Sequence, residues 1–158
     1  MNTITLKGII DEDFVNYKVP SMSLIFPYCD FKCGKQFCQN ISLSKEKNIE
    51  INIDSLCERY LNNPITGAIV CQGLEPLNSF LELYNFIETL REVYRCYHPV
   101  VIYTGFNETE IELPIKLLKE FENIIVKFGR YMPDNDPHFD EILGVTLVSN
   151  NQYAKRIS

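Results

Sequence analysis

No run of apolar residues in this 158-residue chain approaches the length that spans a bilayer, so no membrane helix is expected. The stretch from Met1 to Phe14 also lacks a long apolar core. Polar and apolar residues alternate there into Asp11, Glu12 and Asp13, a pattern that argues against a signal peptide. Basic residues are in deficit, 15 against 21 acidic, and neither sign gathers into a tail. With no electrostatic track for a phosphate backbone, nucleic acid is not expected as a partner. Internal repeats, low-complexity segments and linkers are missing too. What remains is a chain with 46% apolar residues, long enough for one hydrophobic core and too short for two ordinary domains. One domain is therefore expected over residues 1–158.

The expected compartment is the cytoplasm, where thiols stay reduced, and six cysteines there suit metal binding or catalysis better than disulfides. Their placement is uneven. Cys29, Cys33 and Cys38 fall within ten residues, whereas Cys57, Cys71 and Cys96 are scattered singly and read as small buried hydrophobes.

Short β-branched runs alternate with amphipathic stretches. Ser21 to Phe26 reads as the first core strand and ends at Pro27. Asp54 is expected to cap a helix carrying Leu56, Tyr60 and Leu61 on one face, and Gly67 then opens a second strand, Ala68 to Cys71. Ser79 and Glu82 have capping-box spacing, ahead of a helix whose Phe80, Leu83, Ile87, Leu90, Tyr94 and Tyr97 recur every three or four residues. A third strand, Val100 to Tyr103, is followed by a helix around Glu108 to Phe121, a fourth strand, Ile124 to Val126, and a fifth, Val145 to Val148. Gly129 to Gly144 shows no periodicity and reads as an irregular loop.

Such alternation calls for right-handed crossovers and a largely parallel sheet, which sends every strand-to-helix loop to one edge. Those loops are 27–40, 72–78, 104–107 and 127–133. Ligands of parallel α/β folds bind at that edge, so the loop with three cysteines is expected to face the other three.

Three thiolates in the loop from Cys29 to Cys38 can converge on one metal centre, with Gly34 allowing a sharp backbone reversal. Structural zinc takes four closed ligands, usually from two Cys-x-x-Cys pairs or mixed Cys/His knuckles. No second pair exists here, and His98 and His138 are the only imidazoles. A cubane iron–sulfur cluster held by three cysteines keeps one iron open. Lys32 and Lys35 would offset the charge of such a cluster.

This loop resembles the signature of the radical S-adenosylmethionine superfamily, with aromatic Phe37 before the third cysteine; its spacing, Cys-x3-Cys-x4-Cys, departs from the commoner Cys-x3-Cys-x2-Cys. Further matches follow in family order. Gln72-Gly73-Leu74-Glu75-Pro76 resembles a Gly-Gly-Glu-Pro segment, with Leu74 where glycine is usual. The segments 102–105, 126–131 and 149–152, with Asp13 to Tyr17 ahead of the first strand, are similar to elements of the activating proteins of anaerobic ribonucleotide reductase.

The resemblance implies an α/β fold forming a shortened, incomplete parallel (β/α) barrel of the radical S-adenosylmethionine type. It implies a 4Fe–4S cluster on Cys29, Cys33 and Cys38, with S-adenosylmethionine on the open iron and Phe37, Gly73, Leu74, Glu75, Thr104 and Lys127 around it. In that family the cofactor yields a 5′-deoxyadenosyl radical that takes hydrogen from a glycine of the anaerobic (class III) ribonucleoside-triphosphate reductase. An electron donor such as flavodoxin or ferredoxin is implied as well.

Blander readings stand beside these. Glu75 could simply favour a helix start through the helix dipole, Thr104 and Lys127 could be a turn-former and a solvated charge, and Phe37 could be a core plug. The whole chain could instead activate another glycyl-radical enzyme, act on a different polypeptide, or be a non-catalytic metal-binding or electron-carrier module.

Overall fold

The computed structural model describes residues 2–29 and 42–158. In chain order its elements are β1 (Thr3–Leu6), β2 (Gly8–Asp13), β3 (Ser21–Phe26), β4 (Ile49–Asn52), α1 (Ile53–Leu61), β5 (Ala68–Gly73), α2 (Phe80–Glu88), β6 (Val100–Tyr103), α3 (Glu112–Leu118), β7 (Ile124–Phe128), β8 (His138–Asp140), β9 (Val145–Leu147) and β10 (Tyr153–Arg156). Among the described residues six strands form one sheet in the order β10-β7-β6-β5-β3-β2. The four central strands, β3, β5, β6 and β7, run parallel, and β2 and β10 close the two edges antiparallel. The protein is thus mixed α/β, with a mostly parallel central sheet. None of the described helices is long and apolar enough to cross a membrane.

Period-two alternation divides the sheet into two faces. Met22, Leu24, Phe26, Ile69, Cys71, Val100, Ile102, Ile124, Val126 and Phe128 share one core with Leu56 and Tyr60 of α1, Leu83 and Phe86 of α2, and Leu118 of α3. All three helices therefore lie on this face. The opposite face carries Ala68, Val70, Val101, Ile125 and Ala154, packed with Tyr17, Leu143 and Leu147. Among the described residues a loop and a hairpin, not a helix, cover it.

Several local expectations change. Asn52, not Asp54, caps α1, its side chain accepting from the Ser55 amide at 3.0 Å; Leu61 is exposed, and Ile53 and Cys57 complete the buried face instead. Ser79 makes no side-chain cap bond to α2, and Glu82 does not reach back to it but accepts from the Thr5 amide of β1 at 3.2 Å. After Glu88 the helix widens into a single π turn, Thr89–Val93. That wider turn brings both Leu90 and Arg91 inside, and the helical stretch then ends at Val93, with Arg95 at φ +52°, so Tyr97 lies beyond it and is 41% exposed.

Helix α3 is shorter than the span around Glu108 to Phe121, since Glu108–Glu110 forms a separate 3-10 turn with its own capping box from Asn107. Val145–Leu147 is not a fifth strand of the sheet. It pairs antiparallel with β8, inside the stretch read as irregular, and the sheet ends instead on β10 against β7. A three-residue strand satisfies its backbone more readily in a local hairpin than across a distant edge.

Candidate functional site

The carboxyl ends of β3, β5, β6 and β7 lie in register along one edge, with Phe26 opposite Gly73 and Tyr103 opposite Lys127. β3 leads from Phe26 through Pro27 and Tyr28 to Cys29, which is half-buried. Cys33, Cys38, Phe37, Gly34, Lys32 and Lys35 lie outside the described residues. Among the described residues no three His, Cys, Asp or Glu side chains converge as a metal centre, and the expected trio includes two cysteines outside that set.

The turn after β5 is tied to the start of the cysteine segment. The Leu74 amide donates to the Phe26 carbonyl at 3.2 Å. Gly73 has φ +103°, and a Cβ there would stand 2.7 Å from Ile25 Cγ2 and 2.8 Å from the Phe26 nitrogen. Only glycine fits where the two strand ends come this close. Leu74 itself remains half-buried.

Glu75 follows, 4% exposed. Its Oε1 accepts from the Leu77 amide at 3.1 Å, capping the 3-10 turn Pro76–Ser79, and its Oε2 accepts from the Gly105 amide, past the end of β6, at 2.8 Å. Burial pushes its carboxyl up, opposed by the bonds from Gly105 and Leu77, by the Thr104 hydroxyl and by the charge of Lys127. Thr104 is buried, bonds through its amide to the Lys127 carbonyl at 2.9 Å, and accepts at Oγ1 from the Phe106 amide at 3.1 Å.

Lys127, the penultimate residue of β7, is 6% exposed. Its Nζ donates to the Gly129 carbonyl at 3.0 Å and lies 5.6 Å from the centre of the Tyr103 ring. Burial holds the ammonium down to about 8, with Glu75 pulling the other way. The Ser149–Gln152 turn braces this strand end. Gln152 Nε2 donates to the same Gly129 carbonyl at 3.2 Å, and Asn151 Nδ2 donates to the Arg130 carbonyl at 2.8 Å. Gly73, Leu74, Glu75, Thr104 and Lys127 thus meet at one edge, next to the chain leading to Cys29.

A buried polar cluster on the same face was missed by sequence reasoning. Asp13, at the end of β2, accepts from the amides of Val15 and Asn16 at 2.8 and 3.3 Å, from Asn16 Nδ2 at 2.6 Å, from the Ser23 hydroxyl, and from Gln72 Nε2 at 3.3 Å. Burial would raise its carboxyl, but these donors outweigh burial and hold it below the usual value. The Tyr103 hydroxyl donates to the Asn16 carbonyl of the same loop. The Asp13-x-x-Asn16 spacing signals a side-chain-closed turn. That spacing marks Asp13 as a turn-former but not as buried, since its neighbours Asp11 and Glu12 are exposed and Ser23 and Gln72 reach it from other strands.

Cys57, Cys71 and Cys96 are core residues, and burial pushes the Cys57 thiol up to about 12. His98 bonds the Tyr60 hydroxyl at 2.7 Å and His138 bonds the Gln152 carbonyl, both away from any ligand set among the described residues. No protein-family model matches this chain, and no curated protein matches it.

Proposed function

We propose that the chain is a radical S-adenosylmethionine enzyme, carrying a 4Fe–4S cluster on Cys29, Cys33 and Cys38, that installs a glycyl radical on an anaerobic (class III) ribonucleotide reductase. The observation that carries this reading is the single edge to which the fold brings the Cys29 segment, Gly73-Leu74-Glu75, Thr104 and Lys127. The strand order β3-β5-β6-β7, with α1, α2 and α3 on one face, suits a shortened, incomplete parallel barrel of the radical S-adenosylmethionine type.

The donor set fits the amino-acid end of that cofactor. The field of a buried carboxylate at Glu75 favours an ammonium nearby, a buried ammonium at Lys127 complements a carboxylate, and Gly73 allows close approach of the backbone. Cys29, Cys33 and Cys38 would hold the cluster, which would supply the electron for reductive cleavage of S-adenosylmethionine and so the means of hydrogen abstraction from a glycine of the partner. The chain's own residues bind and orient. By the resemblance, Phe37 would shield the cluster and the adenine, and Leu74 and Thr104 would border the ligand. An electron donor such as flavodoxin or ferredoxin, and a cytoplasmic location, complete the reading.

Anaerobic reconstitution with iron and sulfide, then reduction in the presence of S-adenosylmethionine, tests it. Wild type is expected to yield 5′-deoxyadenosine and Cys33→Ala to yield little. With a class III reductase present, electron paramagnetic resonance is expected to show the glycyl doublet. Equal 5′-deoxyadenosine from both proteins removes the cluster assignment, and product without a doublet removes the reductase as partner.

A further inference from the structure

The carboxylate of Glu75 is already engaged by the chain itself. Its two oxygens accept from Leu77 at 3.1 Å and Gly105 at 2.8 Å, amides that belong to the turns after two different parallel strands. The Thr104 hydroxyl adds to its stabilisation. A carboxylate presents about four lone-pair sites, so these donors take most of them. At 4% exposure the group is also closed to solvent, and an incoming ammonium would have to displace a backbone donor that has nowhere else to go.

We infer that Glu75 is a positioning residue: its carboxylate clamps the turn after β5 to the turn after β6, and a ligand at this edge is held by groups the clamp sets in place. The bond to Gly105 spans 30 residues of sequence and fixes Thr104-Gly105 against Gly73-Leu74. The bond to Leu77 fixes the other side of the same turn by capping Pro76–Ser79. The negative charge still favours a cation nearby, but it acts at one remove, through geometry and field. Only the identity of the ligand rests on the function proposed above.

Glu75→Gln and Glu75→Ala separate clamp from direct ligand. Glutamine keeps one acceptor oxygen of nearly the same reach, and alanine keeps none. In the full-length chain without ligand, Glu75→Ala is expected to speed hydrogen exchange at the Gly105 and Leu77 amides about tenfold or more, leaving β3 and α1 unchanged, while Glu75→Gln restores protection at one of the two. In the reconstituted protein, S-adenosylmethionine affinity by equilibrium dialysis is expected to fall more than about tenfold in Glu75→Ala and to recover within about threefold of wild type in Glu75→Gln. A loss in Glu75→Gln as deep as in Glu75→Ala, with both amides still protected, would overturn the clamp in favour of direct ligation. If wild type binds no S-adenosylmethionine, the functional reading falls, and amide exchange alone decides the clamp: unchanged exchange in Glu75→Ala refutes it.

Discussion

Lys127 donates its ammonium to the carbonyl of Gly129 at 3.0 Å, a neutral acceptor two residues along the same strand end. Among the described residues it makes no ion pair with a carboxylate, and Glu75 acts on it only through its field. A buried ammonium in this state costs folding energy unless a ligand supplies an anion.

Its effect on stability has a definite sign. Burial brings Lys127 down to about 8, below its unfolded value of about 10.4, so its contribution is fully present above that unfolded value and is lost as pH falls through about 8. Relative to wild type, Lys127→Met should therefore be about 3 kcal/mol better off at pH 6 than at pH 10.5. Urea unfolding at the two pH values checks this. An equal difference at both would show that the ammonium is not desolvated.

Asp13 carries the opposite sign. Burial raises its carboxyl, the donors around it lower it by more, and the net depression means that its contribution is present above the usual Asp value and lost as pH falls through the folded one. Asp13→Asn turns an amide donor toward donors and should cost about 2 kcal/mol at pH 7. That gap should narrow below about pH 4. A gap that stays constant into acid would mean that Asp13 is not held ionised.

Arg91 holds the far end of the sheet. Its guanidinium, 1% exposed, donates to the carbonyls of Cys96, His98 and Glu122 at 2.8 to 3.1 Å. Arg91→Lys keeps the charge but not the planar fork, and should cost about 3 kcal/mol through carbonyls left unbonded. Denaturant unfolding reads this directly; a change below about 0.5 kcal/mol would place the role elsewhere.

Gly73→Ala should cost more than about 1 kcal/mol, because φ +103° disfavours an L side chain and the added methyl would press into Ile25 and Phe26. Thermal unfolding against Gly8→Ala, where a Cβ meets nothing within 4 Å, isolates the local clash from the general effect of removing glycine. Equal shifts in the two variants would count against the close approach.

Much of the fold was legible because its signals are local. Ser21–Phe26 and Val100–Tyr103 lie where their apolar runs ended, and Ala68–Gly73 and Ile124–Phe128 extend two residues beyond theirs. The edge that gathers Gly73, Leu74, Glu75, Thr104 and Lys127 follows from parallel strands joined by crossovers. Helix caps were less legible. Asn52 and Asp54 are both good capping residues, and Glu82 was taken by β1, which lies 77 residues away along the chain. β9 was read as a strand, but its partner β8 escaped, a strand of three residues among turn-formers being too short for an alternation to register, and with it went the local pairing.

Taken alone, the sequence determined the alternation of β3, β5, β6 and β7 with α1, α2 and α3, and which of their loops share an edge, since these depend on periodicity and on the handedness of crossovers; the short or edge strands β1, β2, β4, β8 and β10 carried no such signal. Only the tertiary structure decided the state of each polar group. Asp13 receives Gln72 from 59 residues away and Glu75 receives Gly105 from 30, so their ionisation and reach are set by donors that no local pattern reveals. Burial belongs to the packed whole, and with it goes the difference between a carboxylate that meets a ligand and one that holds the walls around it.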